Sequence, residues 1–206
     1  MNKIAINIVW FKRDLRFTDH EALFYASQQD IPILLVYFFE PSVMHYDDSD
    51  VRHWRFIYES IQDLQSKLDP LDSKLFFFHQ EVQPIFEELL QQFDVKSVYS
   101  HQEIGNKITY NRDVAMQDFF KKNKVEWKEF QMHGVIRKLK SRKDWDKRWE
   151  NVMRDNPKMI TIEKLSIANL NPDFYEKSKG APLHIEITTP NKNFQTGGEN
   201  LAWRYL

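Results

Sequence analysis

Residues 31–39, Ile-Pro-Ile-Leu-Leu-Val-Tyr-Phe-Phe, are the stretch that decides the fold class of this chain. A run that is apolar on both faces is typical of a central strand in a parallel sheet that helices cover. Four further apolar runs, at residues 4–11, 74–79, 95–101 and 125–132, are also predicted to be strands. Amphipathic stretches separate all of them, so the sequence predicts an α/β fold with a doubly wound, Rossmann-like parallel sheet of five strands.

Amphipathic helices are predicted between these strands. Thr18 and Glu21 have the spacing of a capping box, which predicts that a helix begins at Thr18. Apolar residues recur every three or four positions over residues 51–68 and 82–93, as on one face of a helix, and a further helix is predicted over 109–123.

The composition excludes several classes of protein. The chain has 206 residues and no cysteine, which excludes disulfides, cysteine-ligated metals and thiol catalysis within it. All five glycines lie beyond residue 100, whereas a P-loop or a dinucleotide fingerprint needs glycines directly after an early strand. With 29 basic and 30 acidic side chains, the chain is not a strongly basic nucleic-acid-coating module. It also lacks a signal peptide and a run of ~20 apolar residues, so we expect a cytoplasmic protein that does not enter a membrane.

The pattern changes after the fifth predicted strand. Residues 137–148 carry seven basic and two acidic side chains, with Trp145 among them and Trp149 following. This run is either a solvated helix whose tryptophans are buried against the domain, or a surface that binds nucleic acid or a partner domain. Half of the prolines lie in residues 155–195, which favours an extended connector, and a second capping box predicts that another helix begins at Thr196.

Charged residues follow the first predicted strand. The loop over residues 12–16 is Lys-Arg-Asp-Leu-Arg, in which three cations surround Asp14. Ligands of open parallel sheets lie beyond the carboxyl ends of the strands, so this loop either binds a phosphate or polar cofactor, or is structural, with Asp14 paired to Arg13 or Arg16. His101, at the end of the fourth strand, is either structural or part of the same crevice. The spacing of the seven histidines matches no metal motif, so no metal site is predicted.

Several motifs, in order along the chain, resemble those of the DNA photolyases and cryptochromes. Residues 9–23, Val-Trp-Phe-Lys-Arg-Asp-Leu-Arg-Phe-Thr-Asp-His-Glu-Ala-Leu, are similar to the family's first strand, loop and helix start. Residues 36–41 are similar to its second strand, and residues 55–64 to its Arg-Phe-x-x-Glu-Ser helix. The pair Arg-Asp at 112–113 and the Gly-Gly-Glu segment at 197–199 complete the series, so the resemblance covers nearly the whole chain.

This resemblance implies a sheet of strand order 3-2-1-4-5 and a chain of three regions. These are the α/β domain at 1–135, a basic helix and connector at 136–195, and at 196–206 the beginning of a helical domain that binds FAD. In a full-length photolyase, the reduced FAD of that domain donates an electron to a pyrimidine dimer in damaged DNA after absorbing light. We therefore expect the present chain to be inactive alone. The alternative is the same domain of a cryptochrome, a blue-light photoreceptor.

The resemblance also implies an antenna chromophore in the α/β domain. A crevice beside the first and fourth strands would be lined by Phe11, Arg13, Phe39, His101 and Glu103. We expect a flavin or deazaflavin there rather than a folate, because Ile-Thr stands just before the Arg-Asp pair, where folate-binding members carry Asn-Glu. Without its helical partner domain, the apolar end of the chain is expected to favour a homodimer.

Overall fold

The sheet has the predicted architecture. The structure, a computed structural model, describes residues 3–137 and 139–205. Its five parallel strands have the order β3-β2-β1-β4-β5, which confirms the predicted doubly wound fold. Their bounds are β1 Ile4–Phe11, β2 Ile33–Phe38, β3 Leu75–Phe78, β4 Phe93–His101 and β5 Glu126–Phe130.

The helices alternate with the strands and continue after β5. Their bounds are α1 Glu21–Ser27, α2 Pro41–Met44, α3 Val51–Leu68, α4 Val82–Gln92, α5 Lys107–Lys122, α6 Trp145–Met153, α7 Pro172–Ser178, α8 Ile185–Thr188 and α9 Glu199–Tyr205. The amphipathic pattern predicted α3 and α4 to within one residue. Crossing a bilayer takes more length and apolarity than any helix in the described part of the chain possesses.

Two apolar layers cover the sheet, and β1 contributes to both. Ile8 and Trp10 pack in the layer beneath α4 and α5, whereas Val9 and Phe11 pack beneath α1 and α3, as the two-residue period of a strand requires. All four are at most 1% exposed, and each such burial contributes roughly 1.5–3 kcal/mol. Because helices cover both faces, the carboxyl edge of the sheet is where a ligand can reach the strands.

The first predicted capping box does not form. α1 begins at Glu21, and its N-cap is His20, whose Nδ1 accepts a hydrogen bond from the Leu23 N–H at 3.0 Å. Asp19 has a φ of 51°, which is left-handed backbone and interrupts any helix that starts at Thr18. The start of α1 is thereby tied to a buried histidine rather than to the hydroxyl of Thr18.

The second predicted capping box does not form either. α9 begins at Glu199, three residues later than predicted, after Gly198 with a φ of 129°. The Glu199 carboxylate accepts from the backbone N–H groups of Phe17 and Thr18 at 3.1 and 2.8 Å and from Lys67 Nζ at 2.6 Å. Burial alone would raise the pKa of Glu199, but these hydrogen bonds lower it to about 2. The Glu199 carboxylate, which the local pattern predicted to cap its own helix, instead binds residues that are distant in the sequence.

The basic run at 137–148 is helical only at its end. α6 begins at Trp145, and Trp145 and Trp149 are 41% and 40% exposed, so the interpretation that buries them against the domain was wrong. Trp149 lies over Gly134, where an added Cβ would come within 1.9 Å of the indole. Binding of nucleic acid or a partner by this run stays a prediction.

The connector packs against the α/β domain. Its helix α8 lies against α3, where Arg55 Nε donates to the Glu186 carbonyl at 2.7 Å. Gly180 bridges His79 at the end of β3 with a φ of 84°, and a Cβ there would lie 2.2 Å from the His79 carbonyl, so this position requires glycine. The connector also returns the chain to the carboxyl edge of the sheet, where residues 157–159 and α9 lie close to the strands. Self-association through the exposed side chains of α9 stays a prediction.

Candidate functional site

A cavity of about 1130 Å³ lies at the carboxyl edge of the sheet, beside the ends of β1, β2 and β4. The aromatic rings of Tyr37 and Trp54 line it together with the charged side chains of Glu40, Glu103 and Arg112. Sites for small organic ligands typically have volumes of roughly 300–1,000 Å³. The cavity therefore has room for a multi-ring chromophore at the point where the strand order reverses.

The structure brings three of the five predicted crevice residues to this cavity. Phe11, Arg13 and Glu103 line it. Phe39 does not, because it is completely buried in the core layer beneath α3. His101 does not either: it is 2% exposed and lies behind the wall. Occupancy of the cavity by a chromophore stays a prediction.

His101 belongs to a buried cluster with Asp14 and His20. Asp14 Oδ2 lies 2.5 Å from His101 Nδ1 and 2.9 Å from His20 Nε2, and Asp14 Oδ1 accepts from the Lys12 N–H at 2.6 Å. Burial alone would raise the pKa of Asp14, but the two histidines hold it well below its usual range. The prediction that Asp14 pairs with Arg13 or Arg16 was wrong, although its structural role in the loop was right in kind.

The hydrogen positions of this cluster disfavour a metal ion. One ligand atom from each of Asp14, His20 and His101 lies within 4.8 Å of the others, as a metal site requires. However, His20 Nδ1 accepts from the Leu23 N–H, so the ring proton must be on Nε2, which faces Asp14. A metal needs that nitrogen deprotonated, which would give up the cap of α1. The cluster fits a hydrogen-bonded structural unit better than a set of metal ligands.

Lys12 is not available to a ligand, because it belongs to a second, ionic cluster. It is 6% exposed, and its Nζ lies 3.1 Å from Asp113 and 4.4 Å from the centre of the Trp10 ring. Burial lowers the pKa of Lys12, and the Asp113 carboxylate opposes that change. Arg137 also binds Asp113, at 2.8 Å, and lies 3.0 Å from Glu129.

Arg112 joins this cluster to the cavity wall. Its guanidinium donates to Glu40 Oε1, to Glu103 Oε2 at 2.5 Å and to Asp113 Oδ1 at 2.8 Å, while Arg13 Nε donates to Glu103 Oε1 at 3.0 Å. Burial raises the pKa of Glu40 to about 7, against the opposing charge of Arg112. The whole ionic cluster joins equal numbers of basic and acidic side chains, four of each: Lys12, Arg13, Arg112, Arg137, Glu40, Glu103, Asp113 and Glu129.

Sequence reasoning missed Glu40, Trp54 and Arg112 as site residues. Glu40 directly follows Phe39, and the rule that pointed to Phe39 at the carboxyl end of β2 applies equally to its neighbour. Arg112 lies one turn into α5 and is brought to the cavity only by the packing of that helix, so no spacing signal identifies it. What these residues supply is recognition: hydrogen-bond donors and acceptors fixed at the wall of an aromatic cavity.

Comparisons with known proteins place this chain in a family. The family model of DNA photolyase matches residues 7–148. The chain is similar to a cryptochrome DASH of Synechocystis, with 29% identity over 47% of this chain and 21% of that protein. It is also similar to a (6-4)DNA photolyase of Arabidopsis thaliana, with 33% identity over 44% of this chain and 18% of that protein. The chain thus matches about a fifth of the length of these relatives.

Solved structures of photolyases and cryptochromes have the same fold. A photolyase of Sulfolobus tokodaii, described with two FAD molecules and an implied light-harvesting cofactor, has a TM-score of 0.69 at 16% identity over 97% of this chain and 45% of that one. A cryptochrome of Synechocystis has a TM-score of 0.70 at 18% identity over 99% of this chain and 46% of its own. Because the family model covers more than half of its residues, the chain belongs to the DNA photolyase family, in which it corresponds to the amino-terminal α/β domain.

Proposed function

We propose that this chain is the chromophore-binding amino-terminal domain of a light-dependent, FAD-using DNA photolyase. The observation that carries the proposal is the cavity at the carboxyl edge of β1, β2 and β4, in a chain of this family. Its volume of about 1130 Å³ exceeds what a flavin ring needs, and its aromatic side chains offer flat surfaces for stacking.

A flavin or deazaflavin fits the residues that line the cavity. Such a pigment, when bound, absorbs light and passes the excitation energy to the FAD of the full-length protein. The residues of this chain would bind and orient it: Tyr37 and Trp54 by contact with the ring, and Glu40 and Arg112 by hydrogen bonds. Burial raises the pKa of Tyr37 above its usual range, so its hydroxyl keeps its proton and can donate.

The electron-transfer chemistry would belong to a helical FAD-binding domain outside these residues. In this proposal the full-length protein repairs pyrimidine dimers in damaged DNA, and the present chain does not repair DNA because the catalytic FAD site belongs to that helical domain. The second candidate is a cryptochrome photoreceptor, and the similarity to a cryptochrome DASH supports it.

Chromophore binding is tested by titrating the 206-residue chain into riboflavin, FMN or 5-deazariboflavin. A bound ring against tryptophan loses fluorescence, so we expect saturable quenching at one ring per chain. Val43→Trp fills the cavity from α2 and should abolish the binding, whereas Tyr110→Trp, on the exposed face of α5, should leave it unchanged. Absence of saturable binding with all three compounds would refute the antenna function.

Repair is tested with an oligonucleotide that contains a cyclobutane dimer, under blue light. The full-length protein should split the dimer, and the 206-residue chain should not. A full-length protein that retains FAD but leaves dimers intact would support the cryptochrome alternative. Dimer splitting by the 206-residue chain alone would contradict the proposal that the electron-transfer chemistry belongs to the helical FAD-binding domain.

A further inference from the structure

Resting on the proposed function, we propose that Glu40 selects the ligand of the cavity by accepting the N–H of an imide edge, with Arg112 and Tyr37 donating to the flanking carbonyl groups. An imide edge is a ring N–H between two carbonyls, and flavins and 5-deazaflavins share it. In this arrangement the ring determines affinity, and a phosphate on the ligand adds none.

Glu40 is a buried acceptor with capacity to spare. It is 5% exposed and lines the cavity. Arg112 donates to Glu40 Oε1, while in the described part of the chain no group donates to Glu40 Oε2. The neighbouring carboxylate of Glu103 differs, because both of its oxygens already accept from arginines. Glu40 Oε2 is not among the unpaired side-chain atoms that are cut off from solvent, so this acceptor is open to the cavity and a ligand N–H can reach it.

Donors lie beside this acceptor. A guanidinium has five N–H groups, and the contacts of Arg112 with Glu40, Glu103 and Asp113 use four of them, which leaves one on Nη1. The Tyr37 hydroxyl lines the same cavity and hydrogen-bonds to none of the described residues. Arg112 and Tyr37 thus offer donors in the cavity that Glu40 lines, and an acceptor flanked by two donors would be complementary to an N–H between two carbonyls.

The charges of the wall do not favour a phosphate. Five carboxylates face four cations: Asp19, Glu40, Asp48, Glu103 and Glu199 against Lys12, Arg13, Arg16 and Arg112. Three of these cations are already paired with carboxylates, and Arg16 donates to the backbone carbonyls of Thr18 and Asp19. A phosphate dianion would therefore meet five carboxylates and, among the described ion pairs, only one cation without a carboxylate partner, Arg16, so the phosphate of FMN should remain in solvent.

The test compares three ring compounds on the 206-residue chain by fluorescence titration. Lumiflavin has the imide N–H and no phosphate, 3-methyllumiflavin has the N–H blocked by a methyl group, and FMN carries the phosphate. Loss of a hydrogen bond to a charged group corresponds to at least about a 10-fold loss of affinity. We expect that loss for 3-methyllumiflavin, and affinities for lumiflavin and FMN within about 3-fold of each other.

A variant cycle assigns the discrimination to Glu40. In Glu40→Ala the ratio of affinities for lumiflavin and 3-methyllumiflavin should fall to about 1, because the methyl group no longer displaces a hydrogen bond. Glu81→Ala removes a neighbouring carboxylate that does not line the cavity and should keep the wild-type ratio. The comparison on the unmodified chain needs no variant, so a failure of Glu40→Ala to fold would not remove the test.

The outcomes separate this inference from the proposed function. Equal binding of lumiflavin and 3-methyllumiflavin overturns the role of the imide edge and leaves the antenna function standing. Binding of FMN more than about 10-fold tighter than lumiflavin, with an advantage that shrinks in salt, overturns the statement about phosphate. Binding of none of these compounds, nor of 5-deazariboflavin, overturns both.

Discussion

Two buried polar clusters lie side by side at the carboxyl edge of the sheet, and they differ in whether their side chains reach the cavity. In the cluster of Asp14, His20 and His101, both oxygens of Asp14 contact protein groups, and none of the three residues lines the cavity. In the cluster around Arg112, one oxygen of Glu40 has no described donor and faces a cavity. A polar cluster enclosed in the core supports the fold, whereas one with an accessible acceptor at a cavity wall is suited to binding.

The largest expected effect on stability comes from removing the carboxylate of the cluster of Asp14, His20 and His101. Asp14→Ala leaves two buried histidines and the Lys12 N–H without their acceptor, so we expect the free energy of unfolding to fall by about 3–5 kcal/mol. Urea denaturation measures it. Asp48→Ala is the matched control, since Asp48 is an exposed aspartate at the rim and should change stability by less than about 0.5 kcal/mol. A loss below about 1 kcal/mol for Asp14→Ala would show that the cluster is not a structural unit.

Glu199 is a second carboxylate whose two oxygens both accept hydrogen bonds from protein groups. Its substitution should have the next largest effect on stability. Glu199→Gln weakens charge-assisted hydrogen bonds from Phe17, Thr18 and Lys67, which corresponds to about 1.5–3 kcal/mol at pH 7. Because the folded-state pKa is lowered from 4.5 to about 2, this stabilisation is present above pH 4.5 and is lost as the pH falls toward 2. Hydrogen exchange of the Phe17 and Thr18 amides reports it. Protection that does not change between pH 7 and pH 3 would contradict the role of the carboxylate.

The pH dependence of the stability that Glu40 contributes should be opposite to that of Glu199. Glu40→Gln keeps the shape and an acceptor beside Arg112, which retains Glu103 and Asp113, so the change in stability should stay within about 1 kcal/mol. Burial raises the pKa of Glu40 from 4.5 to about 7, so the wild type loses stability from this group as the pH rises from 4.5 to 7. The variant should therefore gain relative to the wild type over that range. Denaturation curves at several pH values test this, and a relative loss with rising pH would contradict the assignment.

The smallest effect is expected for the exposed member of the ionic cluster. The Arg13 side chain is 54% exposed, and its ion pair with Glu103 is of the kind that contributes about 0–1 kcal/mol. Arg13→Ala should change stability by no more than that, with an effect that diminishes in salt. Urea denaturation at low and high salt measures this change in stability. A loss comparable with that of Asp14→Ala would contradict the contrast between the cluster of Asp14, His20 and His101 and the cavity wall.

The sequence predicted the sheet well because its signals are local and periodic. The apolar strands and the helices α3 and α4 follow from spacing alone, and their covering layers follow from the two-residue alternation of β1. Predictions from local spacing were wrong where contacts between residues distant in the sequence determine the structure. Glu199 contacts Phe17 and Thr18 across the fold instead of capping its own helix, and the tryptophans of α6 remain exposed.

The site was predicted in position but only partly in its residues. The switch-point rule correctly located a cavity beside β1 and β4. It could not say which of two adjacent side chains, Phe39 or Glu40, lines the cavity, because that depends on how the chain leaves β2. Nor could it show that His101 would hydrogen-bond to Asp14 and so lie away from the cavity, since 87 residues separate the two in the sequence.

The equal numbers of positive and negative side chains in the ionic cluster have a kinetic consequence. Opposite charges held within a few ångströms of each other cancel at a distance, so this cluster adds little to the electric potential that this edge projects into the solvent. A ligand then arrives by unguided diffusion, and its association rate constant depends little on ionic strength or on the charge that it carries. Discrimination among ligands at this edge consequently resides in how long each one stays, not in how often it arrives.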